Sequence, residues 1–163
     1  MARKCFYSFH YKPDNSRAGQ VRNIGVLEGN TPVSDNDWET VTGKGDAAIE
    51  KWIKDQMHGR TCTVVLVGEK TAARKWITHE IVKSWEAGMG VVCIRIHGLK
   101  NLDGYIAKMG GNPLNHITVD GVELSPIVKC YNPKGDNSKE RYAWISEHLE
   151  NAVEEAVRIR KAN

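Results

Sequence analysis

The chain has 163 residues, of which 40% are hydrophobic and 26% charged, and its 23 basic and 20 acidic residues give a net charge of +3. This composition is typical of one soluble globular domain with a real core, so we expect residues 1–163 to form a single domain. The charge is too small to indicate nucleic-acid binding, and no apolar run reaches the roughly 18 residues of a membrane helix. We therefore predict no nucleic-acid partner, no membrane insertion and a cytoplasmic location.

Strand and helix patterns alternate along the chain without an internal repeat. Short apolar runs predict strands, and apolar residues three and four apart predict helices. Strands are predicted within 4–10, 25–30, 61–68, 90–98 and 126–131. Helices are predicted at 15–24 with Asn15 or Ser16 as cap, at 47–57 with Asp46 as cap, around Trp76 as far as Gly88, and after an Asn137–Glu140 capping box. The segment 31–46 is predicted to be a loop, and 99–125 fits no regular element.

This element order predicts an α/β fold, a flavodoxin-like three-layer sandwich with a central parallel sheet. Ligands bind such folds where the carboxyl ends of the strands meet. Two segments come to that edge, "SFHYKPDN" (8–15) after the first strand and "GEKTAARKW" (68–76) after the central strand. These two segments are therefore the candidates for a functional site.

Several nucleotide and phosphoryl chemistries are disfavoured at this edge. "GEKT" (68–71) lacks the adjacent Gly-Lys of a phosphate-binding loop, and no GxGxxG follows a strand. A phosphoacceptor receiver needs acidic residues after the first strand and an aspartate after the central one, but Ser8-Phe9-His10 and Gly68-Glu69 stand there. Four cysteines lie in or beside apolar runs without a CxxC pair, so we predict buried, reduced thiols and no metal site: Cys5, Cys62, Cys93 and Cys130.

Trp76 and Glu80 are four residues apart and share a helix face, away from the sheet-facing residues Ile77, Ile81 and Trp85. The plain alternative is a packing tryptophan and a solvated glutamate. Their place at the start of a helix on the ligand-binding edge favours a nucleotide site instead. Thr71 is a possible N-cap, and Lys70, Arg74 and the helix N-terminus supply positive charge that suits a phosphate group.

Two segments resemble a known family. "KCFYSFHY" (4–11) resembles the first strand of TIR domains, which has an aromatic residue, any residue, then Ser-Phe. "TAARKWITHEI" (71–81) is similar to the TIR pattern Ser-x-x-Ser-x-Trp-Cys-x-x-Glu-Leu, with Arg74 in place of the second serine. Together with "SFHYKPDNSRAGQVRN" (8–23), it resembles the TIR-like ThsB proteins of bacterial Thoeris anti-phage defence over about half of the chain. The resemblance implies a TIR-like sandwich.

The resemblance also implies an enzyme that cleaves the nicotinamide–ribose bond of NAD⁺, which is its substrate, without a further cofactor. Glu80 is then the catalytic residue, because a carboxylate can stabilise the positive charge that develops on the ribose. His79 is expected to be non-catalytic, because it points about 100° away from Glu80 on the helix. The residues expected to line the NAD⁺ site are Ser8, Phe9, His10, Asn23, Thr71, Arg74 and Trp76. Asn23 has an alternative role in tying down the first helix.

The expected product is an ADP-ribose-derived signal that activates a partner effector protein after a phage-derived trigger, and a cyclic ADP-ribose isomer is favoured. Conjugation of ADP-ribose to a small nucleophile and a non-enzymatic TIR scaffold stay open, as does a homo-oligomer. The segments 31–46 and 99–125 flank the site edge and are long enough to serve as lids or assembly surfaces, with Trp38 as the residue that would cover the site.

Overall fold

The computed structural model describes residues 2–30 and 43–163. Its centre is a five-stranded sheet of β1 (Arg3–Ser8), β2 (Leu27–Gly29), β3 (Cys62–Val67), β4 (Gly90–Arg95) and β7 (Cys130–Tyr131). All five strands are parallel, and their order across the sheet is β2-β1-β3-β4-β7. A separate antiparallel hairpin consists of β5 (Thr118–Val119) and β6 (Val122–Glu123). The helices are α1 (Tyr11–Arg22), α2 (Asp46–Met57), α3 (Lys75–Glu86) and α4 (Ser138–Ala162).

The sheet has a helical layer on each face, which confirms the predicted three-layer α/β sandwich. Cys5 and Tyr7 of β1 pack in one apolar cluster with residues of α1 and α4. Phe6, between them, packs on the opposite face with residues of α2. Val65 and Val67 of β3 pack with residues of α3. Because helices cover both faces, all six residues of β3 are buried, which accounts for its continuous apolar run.

Two helices begin earlier than predicted. α1 begins at Tyr11 instead of residue 15, with His10 in the N-cap position. Pro13 fits inside its first turn because the amides there have no partner within the helix, so the missing N–H costs nothing. α2 begins at Asp46, and Gly45 with a φ of 92° is the N-cap in place of Asp46.

The predicted capping box of α4 is altered. The Asn137 side chain accepts a hydrogen bond from the Glu140 amide at 2.9 Å, as predicted. The Glu140 carboxylate accepts at 3.1 Å from the amide of Asp136, one residue before the cap.

In the part of the chain that the structure describes, no helix is long and apolar enough to cross a membrane.

The segment 99–125 is ordered by contacts with the rest of the fold. It contains the β5–β6 hairpin, and Arg17 of α1 donates to the carbonyls of Leu99 at 2.8 Å and Tyr105 at 2.9 Å. The Lys108 amide donates to the Glu69 carboxylate at 2.9 Å, just beyond β3. This segment therefore flanks the carboxyl edge of the sheet, as expected. Trp38 and most of the other predicted lid lie outside the described residues.

The last strand is shorter than predicted. It spans Cys130–Tyr131, whereas the apolar run suggested a strand from residue 126. The amides of Ile127 and Val128 both donate to the carbonyl of Leu124, which turns the chain before β7 begins. The strand therefore starts only where the chain comes alongside Cys93 and Ile94 of β4.

Candidate active site

The candidate site lies where β1 and β3 end side by side. Ser8 ends β1 in register with Val65, and Gly68 follows the last residue of β3. In the order β2-β1-β3-β4-β7, β2 lies on one side of β1 and β3, β4 and β7 lie on the other, so the strand order switches direction between β1 and β3 while all strands stay parallel. Folds of this type bind their ligands at such a switch point.

Glu80 of α3 reaches into this point from above the sheet. Glu80 is 6% exposed, and its Oε2 accepts a hydrogen bond from the hydroxyl of Ser8, a residue that is 1% exposed. Glu80 is therefore buried together with Ile77 and Ile81, and the expectation that its face of α3 lies away from the sheet-facing residues was wrong, although Trp76 and Glu80 do lie one helical turn apart. The reason is that Ser8 alternates with Tyr7 along β1 and points toward α3.

Two buried hydroxyls fix α3 on the sheet at this height. Ser84 donates to the carbonyl oxygen of Glu80 at 2.6 Å, and its Oγ also lies 2.6 Å from Oγ1 of Thr63 on β3. Since the Ser84 proton is used within the helix, the Thr63 hydroxyl is the donor in the second bond. The backbone of Glu80 is therefore fixed by Ser84, which lies one helical turn further along α3 and is itself bonded to β3.

Burial controls the charge of Glu80. Loss of water raises the pKa of Glu80 to about 8, and the hydrogen bond from Ser8 acts in the opposite direction but is the weaker effect. No cation lies against this carboxyl among the described ion pairs. Near neutral pH the group is therefore mainly a neutral acid, which is unusual for a glutamate.

The mouth of the site, defined here by His10, Lys70 and Arg74, carries positive charge. His10 is half-buried, and within the described residues its Nδ1 has no hydrogen-bond partner. Burial lowers the pKa of His10, and Arg74 and Lys70 lower it further, so both cations lie near the ring. Arg74 and Lys70 are exposed. Ser8 and Glu80 are thus in direct contact, and Arg74 and Lys70 lie near His10, which is two residues beyond Ser8.

Two of the predicted site residues do not face Glu80. Phe9 packs against the apolar cluster on the α1 and α4 face and stacks on Tyr11 at 6.0 Å, because it alternates with Ser8. Asn23 is the exposed C-cap of α1. A helix of that length places Asn23 roughly 18 Å from His10, at the amino edge of the sheet, so its alternative role at the helix end fits.

Thr71 and Trp76 lie near the site in structural positions. Thr71 is fully buried, and its hydroxyl oxygen accepts from the Gly68 amide at 2.8 Å. It does not cap α3, whose N-cap is Arg74. Trp76 is half-buried against the cluster of Phe6 and α2. His79 contacts the Trp76 ring at 5.3 Å edge-on and has no contact with the Glu80 carboxyl in the described interactions.

Asp14 is a polar residue of this edge that the sequence did not single out. Its carboxylate is 2% exposed, with Oδ1 3.4 Å from Arg17 and Oδ2 without a partner among the described residues. It lies over Gly68, where any Cβ would overlap the carboxylate. Burial raises the pKa of Asp14 to about 6 against the pull of Arg17. Its spacing of three from Arg17 would have revealed the pair only in a helix that began before residue 15.

Metal binding finds no support in the geometry. Across residues 2–30 and 43–163, no three His, Cys, Asp or Glu side chains are grouped to hold an ion. The polar groups at this edge include a buried carboxyl, a serine hydroxyl, an imidazole and two exposed cations.

Comparison with known proteins places this arrangement in a family. The model of the Thoeris protein ThsB, TIR-like domain, matches residues 6–101. A protein of Bacillus cereus (strain MSX-D12) named "Putative cyclic ADP-D-ribose synthase ThsB1" is 32% identical over 133 residues, which cover 76% of this chain and 69% of that protein. The chain belongs to the ThsB family of TIR-like proteins.

The ThsB match ends where the unassigned segment begins. Residues 6–101 include Ser8, His10, Arg74 and Glu80, whereas the β5–β6 hairpin, β7 and α4 lie beyond it. Ser8 and Glu80, which are in contact at the β1–β3 switch point, therefore both come from the part of the chain that the family model covers.

We predict that Glu80→Gln stabilises the protein, and does so more as the pH rises. The unfolded carboxyl ionises near 4.5 and the folded one near 8, so between these values ionisation favours the unfolded state. The wild type loses this stability as pH increases, at about 1.4 kcal/mol per pH unit, whereas glutamine stays neutral. Urea unfolding at about pH 5 and about pH 8 should show a gain for Glu80→Gln that grows by several kcal/mol.

The matched control is Glu86→Gln, which changes an exposed carboxylate on the same helix. Its effect on the free energy of unfolding should be small and nearly independent of pH. An equal, pH-independent effect of Glu80→Gln would mean that the Glu80 carboxyl titrates normally.

Proposed function

We propose that this ThsB-family protein cleaves the nicotinamide–ribose bond of NAD⁺ and converts the ADP-ribose part into a small signalling molecule. The observation that carries the proposal is the buried Glu80 carboxyl on the Ser8 hydroxyl at the β1–β3 switch point. The name of the Bacillus cereus relative, a putative cyclic ADP-D-ribose synthase, supports the same reaction class.

The chemistry needs one carboxylate and little acid catalysis. The nicotinamide ring of NAD⁺ is already cationic and leaves as a neutral molecule, so no proton must be supplied to it. Positive charge develops on the ribose as the bond breaks, as in glycoside hydrolysis. A carboxylate in a site without water stabilises such charge far better than one in solution. Glu80 takes this role.

The high pKa of Glu80 fits a group that ionises when substrate binds. The neutral acid avoids the cost of a buried charge without a partner. A cationic nicotinamide ring beside the carboxyl lowers its pKa, and the proton is then released to solvent. Because Glu80 is only 6% exposed, its carboxyl must also become more accessible before the ribose can contact it. Binding of the cationic substrate would thus produce the negative charge on Glu80 that stabilises the ribose cation in the reaction.

The rest of the mouth suits the pyrophosphate. Arg74 and Lys70 are exposed cations at the start of α3, and the neutral His10 ring can donate or accept a hydrogen bond. The unpaired amides of the first helical turn add a further attraction for anions. These groups would hold the phosphates while the ribose approaches Glu80.

Within Thoeris defence, the signal would activate a partner effector after a phage-derived trigger. A second candidate function is a TIR scaffold that recruits partners or copies of itself. One observation favours it: the loop that flanks the site exposes four large apolar side chains, Leu102, Tyr105, Ile106 and Met109. The two functions differ in whether NAD⁺ is consumed.

We predict that Glu80→Gln abolishes NAD⁺ consumption while the protein stays folded. Glutamine keeps the hydrogen bond with Ser8 but cannot carry charge, so the rate should fall by roughly 10²–10³. Cells that express each variant would be infected with phage, and NAD⁺ would be followed by mass spectrometry.

Glu86→Gln, on the exposed face of α3, serves as the matched control and should behave as wild type. Wild-type NAD⁺ loss with folded Glu80→Gln would refute the catalytic role. Unchanged NAD⁺ in cells that the intact protein still protects would favour the scaffold.

We predict a cyclic ADP-ribose isomer as the main product. If the flanking segment 99–125 shields the bound ribose from water, a nucleophilic group of the same bound molecule has the advantage of a high effective concentration. The measurement is mass spectrometry of the nucleotides in extracts of infected cells. Linear ADP-ribose alone would contradict cyclisation, and a product mass that contains an amino acid or another small nucleophile would establish conjugation.

A further inference from the structure

The parallel sheet contains two pairs of cysteines in register. Cys93 of β4 is the partner of Cys130 of β7, and Cys5 of β1 is the partner of Cys62 of β3. All four are free thiols, as predicted. The prediction that all four are buried holds for three of them, but Cys130 is partly exposed because β7 lies at the edge of the sheet.

The Cys93–Cys130 pair has the spacing of a disulfide precursor. Adjacent strands lie about 4.8 Å apart, which is within the roughly 4.4–6.8 Å between the Cα atoms of bonded cysteines. Both side chains pack with the same apolar cluster on the α3 face, so the two sulfurs point to the same side of the sheet. No change of strand register is needed to join them.

The two thiols differ in reactivity. Cys93 is 0% exposed, whereas Cys130 is partly exposed. A hydrogen bond with the Cys93 thiol lowers the pKa of Cys130 to about 7, and the Arg95 guanidinium acts in the same direction. Thiolates rather than thiols attack oxidants. Cys130 is thus an accessible nucleophile with a second cysteine beside it.

The Cys5–Cys62 pair provides an internal comparison. It has the same register and spacing, but both thiols are 0% exposed. Hydrogen bonding with Cys5 and burial raise the pKa of Cys62. The two pairs therefore share geometry and differ in access and charge.

We propose that Cys93 and Cys130 form a reversible redox pair that reacts with hydroperoxides. The Cys130 thiolate sulfur attacks the peroxide, the O–O bond breaks, and a sulfenic acid forms as hydroxide or alkoxide leaves. The Cys93 sulfur then loses its proton and attacks the sulfenic sulfur, so that water leaves and the disulfide forms. Two thiols lose two electrons in total, and the peroxide gains them.

The disulfide should be easy to reduce. The Cβ atoms of residues in register on parallel strands are separated by about the strand spacing, which exceeds the roughly 3.8 Å of a relaxed disulfide. A strained bond has a more oxidising potential and returns readily to thiols. The oxidised pair would join β7, which spans only Cys130–Tyr131, covalently to β4.

The test exposes the reduced full-length protein to hydrogen peroxide, alkylates the remaining thiols after unfolding and maps peptides by mass spectrometry. We expect a disulfide between the Cys93 and Cys130 peptides, reversed by dithiothreitol, and formation of any Cys5–Cys62 disulfide at least roughly tenfold slower. Equal oxidation of both pairs, or no Cys93–Cys130 disulfide, would overturn the proposal.

Two variants separate the roles of the cysteines. In Cys93→Ser the sulfenic acid of Cys130 has no thiol to meet, so dimedone should label Cys130 after peroxide treatment. In Cys130→Ser the initial reaction is lost, and Cys93 should stay reduced. Failure of dimedone to label Cys130 in folded Cys93→Ser, or rapid oxidation of Cys93 in Cys130→Ser, would contradict the assignment of the nucleophile.

Discussion

The hydrogen bond between Ser8 and Glu80 joins the end of β1 to the second turn of α3, and the functional account depends on it. An ionised carboxylate in this position would have lost most of its water without gaining a cation, which is among the costliest arrangements in a folded protein. The chain avoids the cost by keeping the proton, so the pKa of Glu80 rises to about 8. A neutral acid at the ligand-binding edge avoids this cost, and a cation that binds beside such an acid favours its ionisation.

The groups around the Ser8–Glu80 contact have different roles. The buried hydroxyls of Thr63 and Ser84 bond α3 to the sheet through the backbone of Glu80. The Glu80 carboxyl itself bonds to Ser8. Exposed Lys70 and Arg74 lie at the mouth near His10, where they add positive charge without neutralising the buried acid. Asp14, lying over Gly68, and Arg17, which holds two carbonyls of the flanking loop, connect the edge to the segment beyond residue 98. The exposed cations that can attract an anion are thus different groups from the buried acid Glu80.

Much of this arrangement was predictable because it depends on local patterns. The unbroken apolar run of β3 required a strand covered on both faces, and the Ser-Phe and Trp-x-x-x-Glu motifs placed Ser8 and Glu80 at one edge. The face of α3 that Glu80 occupies was not predictable, because a glutamate next to apolar residues reads as solvent-exposed unless its partner on β1 is known. Asn23 was wrongly predicted to line the site. It is close in sequence to the Ser-Phe motif, but the twelve-residue helix α1 carries it to the opposite edge of the sheet. The start of α1 and the order within 99–125 depend on tertiary contacts of Arg17 and Glu69 that no local pattern encodes.

The most direct test of this account is a titration of the Glu80 carboxyl itself. Protein labelled with ¹³C at the glutamate carboxyl carbons would be followed by NMR across pH, and the Glu80 signal would be assigned by its absence from Glu80→Gln. The account predicts a midpoint at about 8 in the protein alone. A non-hydrolysable analogue of NAD⁺ that keeps the cationic ring should move this midpoint downward. A midpoint near the ordinary value of 4.5 in the protein alone would contradict the claim that Glu80 is held as a neutral acid.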